Sequence, residues 1–276
     1  MSEECNHDCS SCGAECGERS AGKADFAAKP NAASRIGRVV AVMSGKGGVG
    51  KSFVAAMLAV AAMKRGLKTG VLDADVTGPS IPKSFGLSGG TYKSADGIEP
   101  SMSNAGIKVM SLNMLVDNPS DPVVWRGPII AGVVKQFWSD VHWGDVDLLV
   151  VDMPPGTGDV PLTVFQSLPV EGVVVVTSPQ DLVGMIVGKS VKMAQLMGKP
   201  VLGLVENMSY LTCPGCGEKI NVFGEGGAER LARRFSIPET VRLPIDPSFA
   251  AAVDAGAVET VDLLEFESFA AKILQI

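Results

Sequence analysis

No run of apolar residues in this chain reaches the roughly 18 that a membrane-spanning helix requires. Basic charge is also short: 24 Lys and Arg stand against 30 Asp and Glu, a net charge of −6. That balance argues against a nucleic-acid binder held by a basic surface, and no nucleic-acid or membrane partner is expected. The opening residues, MSEECNHDCS, are polar and acidic and lack the apolar core of a secretory signal, so a cytoplasmic location is expected. Histidine is limited to His7 and His142. Cysteine is missing everywhere except in two short clusters: Cys5, Cys9, Cys12 and Cys16 at the start, and Cys213 and Cys216 late in the chain. Such clustering in a reducing compartment disfavours disulfides and points to metal or redox chemistry. No internal repeat is present.

The chain has 276 residues, 46% of them hydrophobic, which suits one large domain or one domain with a tail. Residues 1–35, rich in Cys, Ser, Ala, Gly and Lys, show no hydrophobic periodicity and read as a flexible arm. Over residues 36–276, β-rich runs alternate with helical stretches. Strands are expected at 39–44, 69–73, 109–112, 148–152, 172–177, 201–206 and 240–243. Helices are expected at 52–65, 128–138, 182–197, 226–235, 247–255 and 264–276. The strands are mostly continuous Val and Leu runs, as in a parallel sheet covered on both faces. The expected fold is α/β: a doubly wound, mainly parallel sheet with helices on both faces and ligand at the carboxyl ends of the strands.

Residues 45–52 read GKGGVGKS and match the phosphate-binding pattern G-x-x-x-x-G-K-[ST]. An apolar strand precedes them and an Ala-rich helix follows, as the motif requires. Gly45, Gly47, Gly48 and Gly50 permit tight turns, so that backbone N–H groups from Gly45 through Lys46, Val49 and Ser52 converge on phosphate oxygens. The new helix adds its N-terminal dipole. Lys51 would neutralise the β- and γ-phosphates, and the Ser52 hydroxyl would ligate Mg²⁺.

Two further strands end in carboxylates. The run 69–73 continues into DADVTGPSIP, which brings Asp73 and Asp75 to the nucleotide edge, where a carboxylate can orient an attacking water or a Mg²⁺-bound one. The run LLVVD ends at Asp152, a residue suited to the Mg²⁺ shell, and continues as MPPGTGD. There Pro154 and Pro155 stiffen the approach, and Gly156 is placed to offer its N–H to a γ-phosphate. VENMS at 205–209 leaves a strand with Asn207, whose amide both donates and accepts.

The pair Cys213 and Cys216 has CxxC spacing. Two thiolates share one metal centre but do not complete a four-ligand site. Three resolutions stay open: a dimer whose two chains supply four thiolates to a [4Fe–4S] cluster or a zinc, a redox dithiol, or half of a zinc knuckle. The arm reads C-x₃-C-x₂-C-x₃-C, and its four thiolates form a second possible metal site, with His7 beside them.

The second lysine of the loop, Lys46, makes KGGxGK, which resembles the deviant Walker A of the MinD/ParA/nitrogenase-iron-protein superfamily. Residues 38–276 as a whole look like the Mrp family of iron–sulfur cluster carrier ATPases, a branch of that superfamily. The resemblance is carried by GKGGVGKS, DADVTGPSIP, VVWRGP at 123–128, VVDMPPGTGD, VTSPQD at 176–181, VENMS, CPGCGE and FGEGG at 223–227. It implies an ATP-binding, slowly hydrolysing homodimer in which Lys46 reaches the partner's nucleotide and Lys46, Lys51 and Asp75 form the catalytic set. It further implies that Asn207 contacts the adenine base, with LPIDP at 243–247 on the base's other side. A [4Fe–4S] cluster would sit between two CxxC pairs, arrive from an upstream scaffold and pass to apo iron–sulfur proteins. The arm resembles the cysteine-rich N-terminus of eukaryotic cytosolic scaffold members, with tighter spacing. Two rivals share the superfamily. A positioning ATPase of the MinD/ParA type would need a basic or amphipathic tail, whereas the C-terminus carries Glu265 and Glu267 against Lys272. An electron donor like the nitrogenase iron protein has a cluster cysteine near the second switch, whereas residues 151–168 contain none.

Overall fold

A computed structural model describes residues 27–75, 78, 80–115, 127–180 and 183–276. The chain runs through β1 (Arg35–Ser44), α1 (Lys51–Met63), β2 (Thr69–Asp73) and the short α2 (Ile81–Ser84). Small strands follow: β3 (Tyr92–Lys93), β4 (Ile98–Glu99) and β5 (Ser101–Met102). The middle of the fold is β6 (Lys108–Ser111), α3 (Gly127–Ser139), β7 (Asp145–Asp152), α4 (Asp159–Ser167), β8 (Gly172–Thr177) and α5 (Val183–Leu196). The last third is β9 (Val201–Thr212), β10 (Lys219–Ile220), α6 (Ala228–Phe235), β11 (Glu239–Pro244), α7 (Pro247–Asp254) and α8 (Leu264–Leu274).

The main sheet has nine strands in the order β10-β9-β8-β1-β7-β2-β6-β5, with β11 on β9. Every pairing is parallel except β5 with β6 and β10 with β9. The strands need both faces covered, and β1 shows it. Val39, Ala41 and Met43 enter one core beside α3, α4 and α5, while Val40 and Val42 enter the other beside α1 and α8. Helix α1 is apolar on all sides, and every residue from Val54 to Ala62 is buried. A buried helix directly after the Gly-rich loop leaves that loop little freedom. The register aligns Val42 and Asp73 with Asp152, so the carboxylates that end β2 and β7 stand side by side.

The expected α/β fold is borne out; beside the short added elements α2, β3, β4, β5 and β10, three differences bear on the site and its surroundings. Helix α4 is absent from the expected helices, and its run contains Pro161. That proline lies in the helix's first turn, where its missing N–H breaks no hydrogen bond. Strand β9, expected to end at Glu206, continues to Thr212 past a break in its register with β11 between Arg242 and Pro244. Residues 27–34, expected within the arm, are tied to the domain. The Ala28 N–H donates to the Ser167 carbonyl (2.9 Å), Trp138 Nε1 donates to the Ala28 carbonyl (2.9 Å), and the Trp143 N–H donates to Ser34 Oγ (2.8 Å). The arm cysteines Cys5, Cys9, Cys12 and Cys16, most of VVWRGP and part of DADVTGPSIP lie outside the described residues. Among the described residues no helix is long and apolar enough to cross a membrane.

Candidate functional site

The Gly-rich loop leaves β1 at Ser44 and enters α1 at Lys51. Gly48 and Gly50 have φ of 80° and 82°, in the left-handed region that favours glycine. Gly50 is required twice, since a Cβ there would lie 2.1 Å from Asn207 Nδ2. At Gly48 a Cβ would meet nothing within 4 Å, so the loop's mouth is open. Val49 is buried and Lys46 is exposed. The Ser44 hydroxyl donates to the Lys46 carbonyl at 2.9 Å, which turns the loop back on its own strand.

Lys51 points into a nest of carboxylates. Its Nζ lies 2.7 Å from Asp152 Oδ1, 3.5 Å from Asp75 Oδ2 and 3.4 Å from Ser52 Oγ, with the side chain only 6% exposed. Asp73, beside Asp152, accepts the Asp75 N–H at 3.1 Å and the Ser111 hydroxyl at 3.2 Å. Two buried carboxylates thus pair with one ammonium, and a third, Asp73, stands beside Asp152. Burial pushes the Asp73 carboxyl well above the ordinary carboxylate range, and the neighbouring Asp152 charge adds to it. Burial also raises Asp152, against the pull of Lys51. Asp152 Oδ2 is buried and has no hydrogen-bond partner among the described residues. A hard divalent cation fits here: Asp152 and the Ser52 hydroxyl are oxygen donors of the kind Mg²⁺ takes, and an added positive charge relieves the carboxylate crowding.

The sequence places Asp75, Asp152, Lys51 and Ser52 together, and the structure does the same. The Gly156 N–H donates to the Ser44 carbonyl at 2.8 Å, because the segment after β7 folds back onto the end of β1. Asn207 is buried, and its Nδ2 donates to the Val49 carbonyl at 3.0 Å. It therefore props the loop directly. Beside it is a mainly apolar cavity of about 320 Å³, open to solvent and lined by Phe53, Met208, Pro244, Ile245, Asp246 and Phe249. Phe53 and Phe249 stack with centroids 5.5 Å apart. LPIDP thus lies across the cavity from Asn207, and Asp246 caps α7 by accepting the Ser248 N–H at 2.8 Å. A flat heteroaromatic base fits this slot.

Cys213 and Cys216 occupy the turn between β9 and β10. The Cys213 N–H donates to the Glu218 carbonyl (2.9 Å) and the Gly217 N–H to the Cys213 carbonyl (2.8 Å), with Gly217 at φ 76°. Cys213 is half-buried and Cys216 exposed. The N–H groups of Cys216 and Gly215, with the Cys216 thiol, lower the Cys213 thiol pKa and favour its thiolate. Among the described residues no third His, Cys, Asp or Glu closes a metal site around the pair.

One residue that matters to both regions was not singled out from the sequence. Glu206, 1% exposed, accepts the Gly227 and Ala228 N–H groups at 2.8 and 3.0 Å and the Arg242 Nε at 3.2 Å. Ser209 donates to the same carboxylate and accepts from Arg242 Nε at 2.7 Å. Glu206 therefore ties FGEGG and the start of α6 to the strand that links the loop prop Asn207 to the cysteines. A Cβ on Gly226 would lie 2.2 Å from its Oε1. The signal was present, in a charged residue inside the apolar run of β9 and a Gly-rich segment to receive it.

A parallel sheet whose β1 feeds a Gly-rich loop into a helix, with Lys51 against the Asp at the end of β7, defines a P-loop nucleoside triphosphatase. The family model ParA, described as the NUBPL iron-transfer P-loop NTPase, matches residues 35–275. The chain belongs to that family. It is 44% identical over 235 residues to an iron-sulfur cluster carrier protein of Clostridium perfringens, covering 81% of each chain. It is similar to the nucleotide-binding protein of Archaeoglobus fulgidus solved in complex with ADP, at 46% identity and a TM-score of 0.76, covering 84% of this chain and 90% of that one. The cell division ATPase MinD of Pyrococcus furiosus shares the fold at 20% identity and a TM-score of 0.61, covering 87% of this chain and 99% of that one.

Proposed function

We propose that this protein is an ATP-hydrolysing iron–sulfur carrier that holds a [4Fe–4S] cluster between the CxxC pairs of two copies and hands it to apo-proteins. The observation that carries the reading is the cysteine turn. Two N–H groups favour the Cys213 thiolate, and the pair supplies two of the four thiolates that such a cluster takes, so in this reading a second copy supplies the other two. The Clostridium perfringens relative is named an iron-sulfur cluster carrier protein, which supports the carrier part of the reading.

In this reading the N–H groups from Gly45 to Ser52 cradle the phosphates, and Lys51 shifts from its aspartate pairs toward the β- and γ-oxygens. Ser52 and Asp152 hold Mg²⁺, which when bound neutralises the charge that builds on the phosphates. Asp75 orients the attacking water, and Asp73 holds the Asp75 backbone in place through its N–H. Lys46, exposed on the loop, acts across the dimer on the partner's nucleotide. Gly156 reaches a γ-phosphate only by exchanging its bond to Ser44, which would make that segment a switch. Asn207 orders the base slot. The cysteines of residues 1–26 form a second, labile cluster site that adds to the bridging one. The carrier would be a cytoplasmic homodimer, loaded by an upstream scaffold and unloaded by apo iron–sulfur clients.

Anaerobic purification with iron and sulfide assay, followed by transfer to an apo-ferredoxin, tests the reading. Iron and sulfide that depend on Cys213 and pass to the ferredoxin are expected. Zinc as the sole bound metal, or iron without transfer, would overturn it.

A further inference from the structure

We propose that the outer edge of β11 is the docking site for an extended client segment carrying two consecutive basic residues. This rests on the carrier reading for the identity of the partner, and on the fold for everything else. Strand β9 lies between β8 and β11, and β11 pairs with no other strand among the described residues. No other hydrogen bond among the described residues reaches its backbone from Glu239 to Leu243. A row of strand donors and acceptors therefore faces outward, the pattern that an added peptide strand satisfies.

The edge lies in a groove of about 530 Å³ that includes Thr240, Val241 and Arg242. Helix α6 belongs to one apolar layer and α8 to the other, so Glu229 and Glu265 flank the strand from opposite faces of the sheet. Both are exposed and neither has an ion-pair partner among the described residues. Of the groove's own cations, Arg242 is paired with Glu206, while Lys219 rests over the Tyr210 ring 4.1 Å from its centroid and keeps its charge. Glu229 and Glu265 outnumber that one remaining cation, so the groove's balance is negative. In a strand, successive side chains point to opposite faces. An added strand thus meets Glu229 with one residue and Glu265 with the next, which selects adjacent basic residues.

The groove lies at the cysteine end of the sheet. Lys272, near the end of α8, bonds Glu239 at the start of β11 at 3.3 Å, so the first turn of α8, with Glu265, falls toward the end of β11. Lys219, which also lines the groove, is three residues past Cys216. A segment docked here brings its own chain beside the thiolates. The arm of this chain does not fit, because residues 1–26 contain Arg19 and Lys23 but no adjacent basic pair.

The test uses the full-length protein and a short fluorescent peptide of valine and threonine with a central Arg-Arg pair, read by anisotropy. Saturable binding is expected. Separating the two arginines by one residue, or the double variant Glu229→Gln/Glu265→Gln, should weaken it roughly fivefold, as two lost rim charge pairs would. ATPase activity of the variant should stay unchanged. Peptides N-methylated on one alternate set of residues should lose binding while the other set retains it, because a paired strand turns only every second residue toward its neighbour. No saturable binding, unchanged affinity in the double variant, or equal effects of the two methylated sets would each overturn the docking site. Iron transfer measured in parallel separates the two proposals. Transfer without peptide binding removes the groove and keeps the carrier, whereas peptide binding without cluster removes the client assignment.

Discussion

The nucleotide loop and the cysteine turn are joined by one stretch of β9, from Asn207 to Cys213, about 20 Å long at the usual rise of a strand. They are built in opposite ways. At the loop, Lys51 and Asp152 are almost wholly withdrawn from water, and two carboxylates share one ammonium. At the turn, Cys216 is exposed, Cys213 is half-buried, and their order comes from backbone N–H groups rather than from packing. The difference matches the roles proposed for each. A phosphoryl group is handled where charge interactions are strong, in a low-dielectric pocket with donors already in place. A cargo that must be surrendered needs ligands at the surface, where a second chain or a client thiolate can reach them.

The strongest way to break the buried side is Lys51→Ala. The change removes the charge on the phosphates and leaves Asp152 and Asp75 facing each other without a cation. Nucleotide binding should weaken and hydrolysis should fall by roughly 10³-fold or more, to background. Iron at Cys213 and Cys216 should be retained. Wild-type-like turnover would sink the loop assignment.

The reverse cut is Cys213→Ala or Cys216→Ala. Each removes two of four thiolates from the proposed bridge, and the absorbance near about 400 nm of a reconstituted [4Fe–4S] centre should fall to whatever the arm contributes. Nucleotide binding should persist. Unchanged cluster content in either variant would refute the bridge.

Lys46→Ala sharpens the contrast, because Lys46 is exposed on the loop while Lys51 is buried. Binding should hold while turnover drops by about 10²-fold. Normal hydrolysis, measured beside equilibrium nucleotide binding, would exclude action on a partner's nucleotide.

A smaller effect concerns stability. Asp73 keeps its proton in the folded state at a pH where the unfolded chain has released it. The folded state then binds more protons, so stability falls as pH rises from the ordinary carboxylate range up to the raised pKa, and levels off above it. Asp73→Asn preserves both hydrogen bonds, since its amide can accept from the Asp75 N–H and donate to Ser111 Oγ. In the metal-free protein it should gain about 1 kcal/mol at neutral pH and flatten that slope, with the part due to Asp152 remaining. Denaturant melts across pH would show it. A loss of stability would mean that Asp73 is ionised and held by a charge not accounted for here.

The smallest expected effect is at the turn. In a Cys216→Ser variant the N–H groups of Gly215 and residue 216 still face Cys213 Sγ. Alkylation of Cys213 by iodoacetamide should continue at a pH below that of an ordinary thiol, because its thiolate is favoured. An ordinary thiol profile would show that the turn does not prepare its sulfur.

The legible parts of this molecule were contiguous in the chain. GKGGVGKS, LLVVD and CPGC each carry their chemistry within a few residues, and continuous Val- and Leu-rich runs revealed the strands between them. What stayed hidden depended on distant partners. Helix α4 contains a proline that only its place in the first turn makes harmless. The continuation of β9 passes through Met208 at φ 55°, a conformation uncommon for a residue with a side chain, and it is held by Glu206, Ser209 and Arg242. The Gly156 N–H turned out to belong to Ser44.

The sequence by itself therefore determined which chemical groups this protein has and which local conformations they take, because glycine freedom, helix initiation and CxxC spacing are properties of neighbouring residues. Only the tertiary structure decided what those groups face. It set Lys51 against Asp152 across 101 positions and Asn207 against Val49 across 158, and it left β11 as an open edge between two glutamates. Those choices arise from sheet register and from the packing of two apolar layers, which bring together residues that no local pattern connects.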